Sequence, residues 1–159
     1  MTQQTFLAAR NTAALAVATS PDIQNFMARE FPLLRWRVYR EVFAGMLPPA
    51  DAAPFAAFGP FSHGQPDKDP HAIEHALPVG VFLARPQGDF QDAGSDVMVM
   101  PGAALLDELA ALTEKAVSSA LTGAGFPFEQ DPYLPDDLAQ YGDFIMSFYL
   151  YRIRTRRYL

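Results

Sequence analysis

The segment from Gly142 to Leu159 constrains this chain most. It alternates like a long β-strand, with Phe144, Met146, Phe148 and Leu150 on one face and Ile145, Tyr149, Tyr151 and Ile153 on the other. Both faces are apolar, so both need cover from helices, loops or another subunit. Such a two-faced strand suggests a packing and assembly protein, and the residues alone read as a soluble α+β domain.

The rest of the composition narrows the class. With 159 residues the chain is long enough for one domain with a real core. Half of its residues are hydrophobic and 19% are charged, which marks a globular chain. Thirteen Phe and six Tyr favour aromatic-packed sheets and interfaces. The net charge of −6 argues against a general nucleic-acid binder. It is unevenly spread, because residues 152–159 hold Arg152, Arg154, Arg156 and Arg157 and no acid, leaving −10 on the body. The absence of cysteine excludes disulfides, thiolate zinc sites and cysteine nucleophiles, and fits a reducing compartment. No basic region followed by an apolar core opens the chain, so no signal peptide is expected, and no apolar run approaches a membrane span.

Fourteen prolines help to parse the chain. Thr5 to Ala18 places Phe6, Ala9, Ala13 and Val17 near helical spacing, and Ser20-Pro21-Asp22 starts a second helix that stops before Pro32. These make an N-terminal helical segment of about residues 1–31. Leu34 to Arg40 alternates, with Leu34, Trp36 and Val38 on one face, and reads as a half-exposed strand. Gly45 to Pro54 is a Pro-rich loop. Phe55 to Phe61 is a strand that Gly59-Pro60 places at an edge or ends early. Ser62 to Ala76 reads as a polar loop, Leu77 to Ala84 as a strand, Gln87 to Ser95 as a loop or hairpin tip, and Val97 to Met100 as a short strand. The clearest helix runs from Gly102 to Leu121, with a buried stripe of Leu105, Leu109, Leu112, Ala116 and Ala120 and a stop at Gly123 and Gly125. Phe126 to Tyr141 is a second loop, dense in Pro and Asp, before the final strand.

Residues that carry chemistry elsewhere have simpler readings here. His71 and His75 stand four apart, with His63 upstream, but the segment is polar, broken by Pro66 and Pro70, and lacks the His-Glu-x-x-His pattern. Exposed loop histidines are favoured over a metal site. Asp131, Asp136, Asp137 and Asp143 lack calcium-loop spacing and read as a solvated acidic loop. Gly123-Ala-Gly125 follows a helix, where a phosphate cradle would precede one. Ser118 and Ser119 have no Gly-x-Ser-x-Gly elbow. No catalytic, cofactor-binding or metal-ligating residue is therefore assigned, and no cofactor is expected. The arginines of the tail admit three readings: charges that guard a strand edge, contacts with a subunit or partner, or nucleic-acid contacts, the last disfavoured by the acidic body.

The order of elements resembles the tail-terminator family of tailed bacteriophages. The resemblance rests on an N-terminal helix, a first strand with Val38-Tyr39, a Pro-rich link into the aromatic strand Pro54-Phe55-Ala-Ala-Phe58, a late helix with Leu105 to Leu112 running on to Ala120-Leu121, and a last strand carrying Phe148, Leu150, Tyr151 and Thr155. It spans roughly residues 20–155 and includes no catalytic signature. The chain departs from the pattern in its extra N-terminal helix, its long Pro-rich loops and its arginine tail.

The resemblance implies a single α+β domain over 1–159, with a mainly antiparallel sheet, helices packed on one face and a basic tail at 152–159. It implies a virion protein without enzymatic activity, six copies of which form a ring at the tail or neck. The ring would cap the tail-tube protein, end tail polymerisation and present a surface to the head completion or neck protein. Genomic DNA would pass through the lumen without specific binding, and no membrane is involved. Tyr149, Tyr151, Arg152, Arg154, Arg156 and Arg157 are the expected subunit or partner contacts. The departures keep open another head–tail connector or neck protein. A small-ligand-binding or enzymatic α+β domain, with a pocket formed by the loops around His63–His75 and Asp131–Asp143, and an interaction module unrelated to phage are the further alternatives.

Overall fold

The computed structural model describes residues 3–42, 46–60, 62–64, 72–86, 90–132 and 141–156. In chain order these form α1 (Gln3–Ala18), α2 (Pro21–Glu30), β1 (Arg37–Arg40), a 3-10 turn (Ala50–Ala52), β2 (Phe55–Phe58), β3 (Ser62–Gly64), β4 (Ala72–Ala84), β5 (Gln91–Asp92), β6 (Met98–Val99), α3 (Ala103–Gly123), β7 (Phe128–Pro132) and β8 (Phe144–Arg156). Six strands make one sheet in the order β1-β2-β4-β8-β7, with β3 also on β4, while β5 and β6 pair as a separate hairpin. Only β1 and β2 run parallel among the described strands. The chain is one compact α+β domain.

The centre of the sheet is the β4–β8 pair, in register from Ala72↔Arg156 to Ala84↔Phe144. The final strand thus lies inside the sheet, as its two apolar faces require. Ile145, Tyr149, Tyr151 and Ile153 meet the helices together with Leu77, Val79, Val81 and Leu83 of β4. Phe144, Met146 and Phe148 join Phe55, Ala57, Phe82 and Tyr141 in a second cluster, covered by Leu47, Ala50, Ala52 and Ala53. Helices occupy one face, and the Pro-rich loop occupies part of the other.

Local sequence explains the helices. Ser20 caps α2 by accepting from the Ile23 amide at 3.3 Å, with Pro21 next to it. Phe6, Ala9, Ala13 and Val17 of α1 are all buried. Helix α3 ends in a Schellman turn: Gly125 sits at φ +76, its amide bonds to the Thr122 carbonyl, and the Phe126 amide bonds back to Leu121. Phe126 and Leu121, the apolar pair that accompanies such a turn, are both buried.

Several boundaries differ from the sequence reading. The stripe of α3 that is fully buried is Leu106, Leu109, Ala110, Thr113, Val117 and Leu121, while Leu105, Leu112, Ala116 and Ala120 are half-buried. The helix is rolled because it packs on α1 as well as on the sheet. Phe148 and Leu150, expected in the core, are half-buried, since the loop covers less than the helices do. Strand β1 begins at Arg37, three residues later than expected, although Trp36 is still buried and donates its indole N–H to the Val17 carbonyl.

Of the supposed loop at 62–76, the described residues 62–64 and 72–76 are instead strand. β4 begins at Ala72, and β3 pairs Ser62↔Ala76 and Gly64↔Glu74. β2 is internal, between β1 and β4, and ends where Gly59-Pro60 interrupts it. The interruption is a bulge: four steps separate Phe58 from Ser62, but only three separate their partners Val79 and Ala76. A Cβ on Gly59 would lie 2.5 Å from Pro78 Cγ, so only glycine fits there. Finally, residues 128–132, read as loop, pair along β8 as β7. Asp and Pro obscured that strand in the sequence.

Candidate assembly surfaces

On the loop face β8 changes character along its length. Phe144, Met146 and Phe148 are aromatic or apolar, Leu150 is half-buried, and Arg152 and Arg154 follow on the same face. Neighbouring strands supply acids in register. Glu74 stands opposite Arg154 on β4, and Glu129 stands opposite Arg152 on β7. Arg152 Nε lies 2.9 Å from Asp131 and 3.8 Å from Glu74. Arg154 reaches Glu74 at 3.1 Å and Glu129 at 3.3 Å. Two cations and three anions thus form a lattice across three strands.

This lattice changes the reading of the tail. Arg152 and Arg154 belong to the sheet, and acids of their own chain already neutralise them. Tyr151, expected as a contact residue, is fully buried on the helix face beneath Ser118 and Glu114 of α3. A side chain without exposed surface cannot contact a neighbour of the folded chain. Burial raises its phenol pKa above the ordinary value. Tyr149 is half-buried on the same face. Arg156 pairs through β8 with Ala72, and Arg157 lies outside the described residues.

The chemical candidates disperse. His75 is buried on β4, stacked on Phe6 of α1, so it is a core residue and not an exposed loop histidine. His63 stands opposite it on β3, and His71 lies outside the described residues. Asp131 belongs to β7, Asp143 precedes β8, and Asp136 and Asp137 lie outside the described residues. No group of three His, Cys, Asp or Glu among the described residues is placed to hold a metal. No helix among them is long and apolar enough to cross a membrane.

Among the described residues, two kinds of surface remain unpartnered. The sheet ends in β1 on one side and β7 on the other. The β1 edge carries Arg37 and Arg40, with Arg35 just before it, and Arg40 bonds to Asn11 of α1. The β7 edge carries Glu129 and Asp131 and ends at Pro132. The β5–β6 hairpin pairs only with itself among the described strands. Beneath its root is an apolar pocket of about 230 Å³ lined by residues that include Phe31, Leu34, Pro86, Leu105 and Ile145. No protein-family model matches the sequence, and no curated protein matches it either. The surfaces therefore have to be read from their own chemistry. The sequence flagged the arginines, but it hid the acids that pair with them, because the pairing depends on strand register.

Proposed function

We propose that this protein is a structural ring component of a phage tail or neck, which caps the tail tube, ends its polymerisation and joins it to the head. The observation that carries this reading is the polarity of the sheet. The edge strand β1 carries Arg37 and Arg40, and the lattice at the other edge, β7, holds three carboxylates against two arginines, an excess of one negative charge. Copies with unlike edges attract head to tail, and a head-to-tail contact with the right rotation closes into a ring. The two-faced sheet and the resemblance in element order agree with this. The charge pairs would set register, and apolar contacts would carry most of the affinity. The acidic balance of the chain would let DNA pass without adhering. Another neck or connector ring would use the same surfaces.

An enzymatic domain would need converging titratable groups in a cleft. Among the described residues, the apolar pocket offers none, and the depression that holds Asp51, Arg85 and Asp143 leaves all three exposed.

The test is assembly. Native mass spectrometry and negative-stain images of the purified protein should show a closed ring of six, and added ring should halt growth of the cognate tail-tube protein at fixed length. A protein that remains monomeric at all concentrations and in the presence of tube would remove the ring.

A further inference from the structure

The β5–β6 hairpin is built like an arm awaiting a partner. Phe90 is 59% exposed, and Val97 and Met98 are each 55% exposed. An isolated two-stranded hairpin is marginal in water, and clustered exposed apolar side chains mark contact sites. Its turn is nonetheless well formed: Asp92 accepts from the Gly94 amide at 2.8 Å, and the Ala93 amide bonds to Val97. The arm is therefore a shaped element with an apolar surface. It also carries Asp92 and Asp96 and no cation among its described residues.

A complementary surface exists on the same molecule. Leu33 is 96% exposed and Leu34 48% exposed, in the turn after α2. Leu34 and Phe31 line both the apolar pocket and an adjoining depression, where Arg35 is also found. Arg35 makes no ion pair among the described residues. The groove is thus apolar with an unengaged cation at its margin, while the arm is apolar with two carboxylates. Pro86 and Gly102, which line the pocket, flank the segment that bears the arm.

We infer that the arm of one copy seats in the Phe31–Leu34 groove of the next, with Asp92 or Asp96 near Arg35. The charge pair sets the register, and Phe90 and Met98, which share the Asp92 face of the hairpin, supply the apolar contact. This rests on the ring reading for its head-to-tail direction, but not for the contact itself.

Because the chain has no cysteine, the contact can be tested by cross-linking. Met98→Cys on the arm and Leu34→Cys in the groove both alter exposed side chains, and circular dichroism would check the fold of each. Mixing the two single variants, one with a mass tag, should give an oxidised heterodimer well above either homodimer. The double variant should form a ladder of trimers and larger species. Met98→Asp should weaken self-association by about tenfold or more. A double variant that stops at dimers would support the contact and overturn the ring. Rings seen for the wild type without any Met98→Cys to Leu34→Cys cross-link would overturn the arm-in-groove contact and leave the ring standing. Cross-links confined to one chain, or formed equally as Met98→Cys homodimers, would also overturn it.

Discussion

The two faces of the β4–β8 pair have the same alternation and different fates. On the helix face, Leu77, Val79, Tyr151 and Ile153 are almost completely buried beneath α1 and α3. On the loop face, Phe82 is buried, but Met146, Phe148 and Leu150 are half-buried, and the strand then turns to charge at Arg152 and Arg154. The difference lies in the cover. Helices present a continuous apolar stripe, whereas the Pro-rich segment offers Leu47 and a few alanines. The helix face therefore holds the fold, and the loop face is where the molecule can change without collapsing.

The most severe way to break that contrast is to remove one aromatic ring from each face. Phe58 is fully buried on the helix face, and Phe58→Ala should cost about 3–5 kcal/mol. Phe148→Ala, on the loop face, should cost about 1–2 kcal/mol, since less area leaves water there. Urea unfolding would measure both, and equal losses would mean that the loop face is as well covered as the other. Gly80 sharpens the point. A Cβ there would lie 2.7 Å from a Phe82 ring atom and 2.8 Å from a Phe148 ring atom. Gly80→Ala should thus cost about 1–3 kcal/mol alone and less when Phe148→Ala is already present. Additive losses would show that the rings do not crowd the glycine.

Much of this arrangement was legible in the sequence, and the gaps have physical causes. The alternation of 144–153 identified both faces, and Ser20-Pro21 and Gly125 marked helix ends, because those signals are local. The roll of α3 was not legible. Thr113 is buried there with its hydroxyl bonded to the Leu109 carbonyl, so a polar residue holds a core position. β7 was invisible because Glu129 and Asp131 read as loop until Arg152 faces them across the register. The arm read as loop and short strand, and nothing in Val97-Met98-Val99 told whether those side chains were covered.

Tyr151 distinguishes the faces by pH. Burial raises its pKa above the ordinary value near 10, so the unfolded chain loses that proton first. The contribution of the group is fully present below about pH 10 and is lost as pH rises from there. Stability should fall by up to about 1.4 kcal/mol per pH unit in the alkaline range from this residue alone. Tyr151→Phe should flatten that part of the curve. An unchanged slope in the variant would assign the alkaline loss to other groups.

The smallest effect belongs to the charged end of the loop face. Arg154 is about half exposed and its partner Glu129 more so, and solvent screening reduces what each pair contributes. Arg154→Gln should therefore cost less than about 1 kcal/mol at low salt, and the loss should shrink toward zero in 1 M salt. Charge reversal is a harsher probe. Arg154→Glu would place a third carboxylate between Glu74 and Glu129, and like charges across adjacent strands destabilise a sheet. A defect in assembly after that reversal would not by itself implicate a neighbouring copy, because the sheet would suffer first. Arg154→Gln is the cleaner variant for that reason. If it leaves stability within about 0.5 kcal/mol of wild type yet weakens self-association, Arg154 also contacts a neighbour. If both are unchanged, the lattice serves only its own sheet, and the contacts between copies lie elsewhere on the molecule.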